Sequence, residues 1–234
     1  MKVQDLKQKT VAPLASGGLD SCTTTRWLSD HGVNVVCLTA VLGQPDEKDI
    51  NAIEQRMRAC GAVDFALLDA RQELAEAGLK VIQSKATYEG RYWNTTGIAR
   101  YVTTAAALKE MKKRGLSILS HGATGRGNDQ VRFQLATNML EPSFSVYAPW
   151  RDDSFIKTFG GRIQMIEFCE QRDLPITATK DSPYSTDANM LGLTHEGGRL
   201  ESLETPAEFI TPGMGVLALS APDLAEKITI RFEA

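Results

Sequence analysis

Short apolar runs alternate with longer amphipathic stretches through the first two-thirds of this chain, and no other feature constrains its fold as tightly. "TVAPLA" (10–15), "VNVVCLTAVL" (33–42), "VDFALL" (63–68) and "LSILS" (116–120) read as strands, being short, apolar and rich in β-branched residues. Between them, "DSCTTTRWLSDHG", "EKDINAIEQRMRACGA" and "RQELAEAGLKVIQSKA" carry helical spacing, and residues 98–114 add another helix closed by Gly115. Gly32 and Gly61 stand where helix C-terminal caps are expected. Strand–helix alternation of this kind predicts an α/β fold, a parallel twisted sheet with helices on both faces.

The alternation weakens after "APWRDD" (148–153). A helix at about 161–172 is expected, and Pro175 then marks a change to Gly-, Pro-, Thr- and Ser-rich sequence that closes on an alternating strand, "KITIRFE" (227–233). The expected division is a nucleotide-binding domain over 1–171 and a small, reduced α+β subdomain over 172–234. A chain of 234 residues with 42% hydrophobic content buries an ordinary globular core. Its formal net charge of -3 argues against a binder of nucleic-acid backbone. Four cysteines (Cys22, Cys37, Cys60, Cys169) lie far apart without a C-x-x-C pair, which predicts reduced thiols rather than a metal or disulfide framework. The N-terminus lacks the apolar core of a signal peptide, and no run approaches the ~20 apolar residues of a membrane span. A soluble, cytoplasmic protein is expected.

One loop carries chemistry. "SGGLDS" (16–21) falls at the carboxyl end of the first strand, where α/β sheets bind ligands. Gly17 and Gly18 let backbone N–H groups approach phosphate oxygens, and the following helix presents its positive end to the same anion. Ser16 and Ser21 offer hydroxyls, and Asp20 can cap the helix or help hold magnesium. A turn closed by Ser16 or Asp20, with the glycines there for geometry alone, is the alternative. The loop has neither the G-x-x-x-x-G-K-[ST] nor the G-x-G-x-x-G pattern. It is similar to the S-G-G-x-D-[ST] signature of the ATP pyrophosphatase group, which grips the pyrophosphate of ATP and transfers AMP.

"HGATGRGNDQVRFQ" (121–134) follows the strand at 116–120 and should arrive at the same sheet edge. Asn128 can donate and accept, Asp129 can hold an ammonium group, and Arg132 can fork onto a carboxylate, the two charges of an amino acid. A glycine-rich surface loop with an Asn/Asp helix cap is the plainer reading. His121 suits a general base or a structural donor equally well. His31, before Gly32, reads as a helix C-terminal residue favoured by the dipole.

Taken in order, "SGGLD", "LGQPDE" (42–47), "HGATGRGNDQVRF", "APW" (148–150) and "YSTDANMLGLTHEGGRLE" (184–201) resemble the blocks of argininosuccinate synthases over most of the chain. "LGQPDE" and "NTTGIAR" (94–100) look closest to the longer bacterial branch. The resemblance implies an AMP-forming ligase using ATP with Mg2+. A ureido, amide or carbonyl oxygen of citrulline or a citrulline-like acceptor is adenylated, and the amine of aspartate then displaces AMP.

By that resemblance Ala15, Ser16, Gly17, Gly18, Asp20, Ser21, Gly122, Gly125 and Gly127 bind ATP, and Thr124, Asn128 and Asp129 bind aspartate. Tyr92, Asn128, Arg132, Ser185 and Thr194 face the citrulline-like substrate, with Thr194 in place of a family serine. Asp20 and Arg132 take the catalytic roles, and Asp20 is the candidate contact to ATP-borne magnesium. The implied partners are small molecules, with neither nucleic acid nor membrane, in a homo-oligomer (dimer or tetramer). Departures from the family pattern include Ser21–Cys22 after Asp20, Arg126 for a common lysine, Gly97 for a hydroxyl residue and His195 for tyrosine. Family members continue beyond "ITIRFEA", so the resemblance implies an intact ATP and aspartate end and a reduced acceptor end. A non-catalytic ATP- or amino-acid-binding paralogue and a ligase with a different acceptor are the alternatives. A pyrophosphatase-type enzyme acting on tRNA is disfavoured by the missing C-x-x-C pair.

Overall fold

A computed structural model describes residues 1–45, 49–125, 127–176 and 184–232. Its centre is a five-stranded, wholly parallel sheet in the order β3-β2-β1-β6-β7. The strands are β1 (Thr10–Pro13), β2 (Asn34–Val41), β3 (Asp64–Asp69), β6 (Ile118–Ser120) and β7 (Ser145–Tyr147), and two short hairpins, β4–β5 (Thr87–Tyr88, Tyr92–Trp93) and β8–β9 (Ser185–Asn189, Gly192–Glu196), lie outside it. The helices are α1 (Leu19–Asp30), α2 (Asn51–Ala59), α3 (Arg71–Gln83), α4 (Thr95–Lys113), α5 (Asp129–Leu140), α6 (Asp153–Phe159) and α7 (Arg162–Glu170).

Successive side chains of a strand face opposite ways, and here both directions are apolar. Val11, Val35 and Cys37 join one core with residues of α1, α2, α6 and α7. Ala12, Val36, Leu38 and Leu119 join a second with Ala107, Leu108 and Met111 of α4. Helices therefore cover both faces, which accounts for the near-continuous hydrophobic strands of the sequence. Helix α1 forms despite three consecutive threonines, because tertiary burial overrides their modest propensity. Thr23, Thr24 and Thr25 are all buried, with Thr25 Oγ1 3.5 Å from Cys37 Sγ and Thr23 Oγ1 3.4 Å from Cys169 Sγ. All four cysteines are free and buried.

Gly32, Gly61 and Gly115 follow α1, α2 and α4 with positive φ, as the spacing predicts. The sequence reading differs from the structure at several places, among them helix α5 and hairpin β4–β5, which it did not contain. Helix α4 begins at Thr95 rather than at residue 98, because the Tyr92 hydroxyl accepts from Thr96 N–H at 3.0 Å and seats an extra turn. Strand β7 ends just before residue 148, and helices α6 and α7 continue the pattern beyond it. Hairpin β8–β9 occupies the Gly- and Thr-rich region. The expected strand at 227–233 is absent over its described residues: 227–232 are exposed and lie beside no other strand, so their backbone groups have no ladder to join.

Candidate active site

The strand order reverses direction at β1: β2 and β3 extend to one side and β6 and β7 to the other. A crevice is expected outside the carboxyl ends at such a switch point, between β1 and β6. The two glycine loops leave the sheet there. The backbone N–H of Leu14 donates to Ser120 O at 2.8 Å and that of Ala15 to Leu38 O at 2.9 Å, after which the ladder stops and residues 16–18 are released from the sheet. Thr39 Oγ1 donates to Ala15 O at 2.6 Å and fixes the point of departure.

The first loop supports itself from within. Ser16 N–H donates to Ser21 Oγ at 2.9 Å, and Gly18 N–H reaches Ser16 Oγ at 3.4 Å. Gly17 has φ +77°, a conformation that favours glycine, and it lies against the Arg56 guanidinium, which a Cβ there would meet at 3.0 Å. Gly18 occupies the N-cap position of α1, and no side chain caps that helix. Neither Ser16 nor Asp20 serves as the cap, so the positive end of α1 faces the crevice. Arg56, from α2, adds a guanidinium against the same loop.

Asp20 lies in the first turn of α1 with its Oδ1 accepting from Trp150 Nε1 at 3.2 Å. Burial pushes its pKa above the usual aspartate value, against the opposing effects of the Trp150 hydrogen bond and nearby Arg162. From the second loop, Gly122 approaches Asp20 closely enough that a Cβ would be 3.4 Å from its Cβ. His121 is 2% exposed, lies against the Phe133 ring at 5.0 Å and accepts from Ala123 N–H through Nδ1 at 3.3 Å. Burial lowers its pKa to about 4, so the ring is neutral near pH 7 and a weak proton acceptor there.

The far wall comes from α4, α5 and hairpin β8–β9. Asp129 Oδ2 accepts from Arg100 Nε at 2.8 Å, and its Oδ1 accepts from Arg132 Nη1 at 2.8 Å. Burial pushes the Asp129 carboxyl upward, but Arg100 and Arg132 outweigh it and hold the pKa below the usual value. Arg100 also pairs through Nη2 with Asp187 of β8.

Together these elements enclose a cleft of about 400 Å³, within the range of small-molecule sites. Ala15, Ser16, Asp20, Ser21, Gly122, Asp129 and Ser185 line it, as do Arg100, His121, Asp187 and Glu196. Of the other residues named from the sequence, Gly17 and Gly18 form the loop backbone, and Arg132 touches the cleft's Asp129. Thr124, Gly125, Gly127 and Asn128 are exposed on the second loop. Thr194 is paired across the hairpin with Asp187. The Tyr92 hydroxyl binds Thr96 Oγ1 at 2.8 Å, at the start of α4. Arg126, Asp46 and Glu47 lie outside the described residues. Nothing in the sequence singles out Arg100, Asp187 or Trp150, although each stands inside a quoted block; only the fold reveals that these three blocks converge.

Among the described residues, no group of three or more His, Cys, Asp and Glu side chains is placed to hold a metal ion. A single carboxylate, Asp20, beside two serine hydroxyls fits magnesium that arrives on a nucleotide, which takes one or two carboxylates plus phosphate oxygens.

A doubly wound parallel sheet with two glycine loops meeting at its switch point, one opening on an uncapped helix, defines the class of α/β domains that bind ligands at their strand ends. The family model described as "Arginosuccinate synthase N-terminal HUP domain" matches residues 11–175, and the chain belongs to the argininosuccinate synthase family. Argininosuccinate synthase of Rhodopirellula baltica is 42% identical over 221 residues, covering 94% of this chain and 54% of that relative. The chain thus spans about half the length of the curated relative it matches. Among solved structures, a 4-thiouridine synthetase–RNA complex with bound ATP aligns with a TM-score of 0.48 at 14% identity, over 70% of this chain and 40% of that one.

Proposed function

We propose that the protein is an ATP-dependent carbon–nitrogen ligase of the argininosuccinate synthase type, joining aspartate to citrulline or a citrulline-like acceptor. The observation that carries this reading is that residues of the 16–21 loop and of 121–123 line one cleft at the sheet's switch point together with Asp129, which Arg132 holds, and Ser185. The backbone of Ser16–Gly18, the open end of α1 and the Arg56 guanidinium supply positive potential for a triphosphate. Asp20 would hold the nucleotide's magnesium, which neutralises phosphate charge. The acceptor's oxygen attacks the α-phosphorus and pyrophosphate leaves. The aspartate nitrogen then attacks the activated carbon, a proton is lost from it, and AMP departs with the former acceptor oxygen.

No covalent enzyme nucleophile is needed, so the chain's contribution is positioning and charge stabilisation, and well-oriented groups reach effective molarities of about 10⁵–10⁸ M. Asp129 and Arg132 offer opposite charges to an amino acid's ammonium and carboxylate. Thr124 and Asn128 are the further aspartate-side candidates by the family relationship, and Tyr92, Ser185 and Thr194 the acceptor-side candidates. The charge balance and composition support small-molecule partners and a cytoplasmic setting, and no helix among the described residues is long and apolar enough to cross a membrane. A homo-oligomer is the assembly we favour on the family relationship.

Purified protein given ATP, magnesium and aspartate should release AMP and pyrophosphate only when a ureido, amide or carbonyl acceptor is added. Mass spectrometry should find a product equal to acceptor plus aspartate less one water. Asp20→Asn should reduce AMP release by about 100-fold or more. Absence of release across the acceptor panel would overturn the reading. A second reading, binding without turnover, draws support from the fact that both oxygens of Asp129 are already engaged by arginines. Calorimetric ATP binding with no AMP formed would favour it.

A further inference from the structure

Hairpin β8–β9 forms one wall of the cleft without belonging to the sheet. Its turn is well seated: Met190 N–H donates to Leu42 O at 2.9 Å, and Leu191 packs so closely on Gly78 of α3 that a Cβ there would meet it at 2.7 Å. Its open end, carrying Ser185 and Glu196, is where the cleft lies. Between turn and open end, Asp187 meets Arg100 of α4, and the same guanidinium holds Asp129 at the start of α5.

We propose that Arg100 is a positioning residue that pins the β8–β9 hairpin to the first turn of α5, and so holds the carboxylate-bearing wall of the cleft in its binding geometry. The ligand this wall serves, aspartate, rests on the function proposed above; the pin itself is a property of the unliganded chain.

The geometry favours a guanidinium in this role. Its planar fork presents Nε to one carboxylate and the Nη groups to another, which an ammonium on a flexible stem cannot match. The three side chains are 21% (Arg100), 26% (Asp129) and 26% (Asp187) exposed, so the pairing is partly shielded from water. Asp129 keeps a second cation in Arg132, 2.8 Å away, whereas Arg100 is the only cation in hydrogen-bonding contact with Asp187 among the described residues. Removing Arg100 leaves a half-buried carboxylate on the hairpin uncompensated, and outward movement of the hairpin is the simplest way to solvate it.

Amide hydrogen exchange and equilibrium aspartate binding on Arg100→Gln, Arg100→Lys and the double variant Arg100→Gln/Asp187→Asn test the pin. Arg100→Gln should speed exchange over 185–196 by about tenfold or more while the central strands 10–13 and 34–41 change by less than about twofold. Aspartate affinity should fall by about tenfold or more, and Arg100→Lys should recover part of both losses because one ammonium reaches one carboxylate at a time. The double variant, with no stranded charge, should return hairpin exchange to within about threefold of the parent. Unchanged exchange over 185–196 overturns the proposal, and so does an acceleration shared equally with the central strands. If the parent protein binds no aspartate, the functional reading falls and the exchange pattern alone decides the pin.

Discussion

His121 shows how position sets the chemistry of a single side chain. The sequence leaves it between general base and structural group. Burial, helped by the nearby Arg151 charge and only partly opposed by Asp129, lowers its pKa to about 4, and its neutral Nδ1 accepts from Ala123 N–H beside the Phe133 ring. In the unfolded chain it titrates near 6.5. Between those values the unfolded state binds more protons than the native state, so stability from this group is complete above about pH 6.5 and is lost as pH falls through about 4. The loss is on the order of 3 kcal/mol. His121→Asn, whose Oδ1 can still face Ala123 N–H, should give a flatter stability profile between pH 7 and 4 than the parent in urea unfolding. Equal acid sensitivity in both proteins would refute the assignment. Asp129 is the complementary case: its residue type announces an ammonium partner, yet the fold gives it two guanidiniums first.

Elements were legible where their causes are local. Helices α1 to α4 and strands β1, β2, β3 and β6 declare themselves through periodicity and terminal glycines. Strand β7, three residues long, and helix α6, seven, are too short for periodicity to register. They are held by a long-range device: Asp152, fully buried, caps α6 through Ser154 N–H at 3.1 Å and also accepts from Val3 N–H at 2.7 Å and Tyr147 OH at 3.1 Å. Asp152→Ala should cost about 2–4 kcal/mol in urea unfolding, since it removes a cap and strands two buried donors. A cost under about 1 kcal/mol would show that the α6 junction is not organised by this carboxylate. Trp150 lies two residues before it and reaches Asp20, so the same junction supports the cleft.

At the scale of the whole molecule, the sheet and its helices hold the buried apolar groups, while the segment past the hairpin leaves large ones outside. Leu203, Leu219, Leu224, Ile228, Ile230 and Phe232 are each at least 73% exposed. Limited trypsin digestion should cut this segment first, after Lys227 or Arg231, and leave a product whose sheet still melts cooperatively. Protection of those sites, or cleavage within β1–β3 at the same rate, would contradict the structure. Apolar alternation alone could not distinguish a paired strand from an unpaired one, because a strand's hydrogen bonds belong to its neighbour.

The amino-acid sequence by itself determined the local choices: which stretches become strands and helices, where glycines end them, and that "SGGLDS" opens onto a helix end suited to an anion. Those depend on period, backbone freedom and the helix dipole, all set within a few residues. Tertiary structure alone decided which loops share the switch point, that Trp150 reaches Asp20, and that Arg100 joins Asp129 to Asp187. These are contacts between residues up to 130 positions apart. They follow from strand order and packing, which no local periodicity encodes.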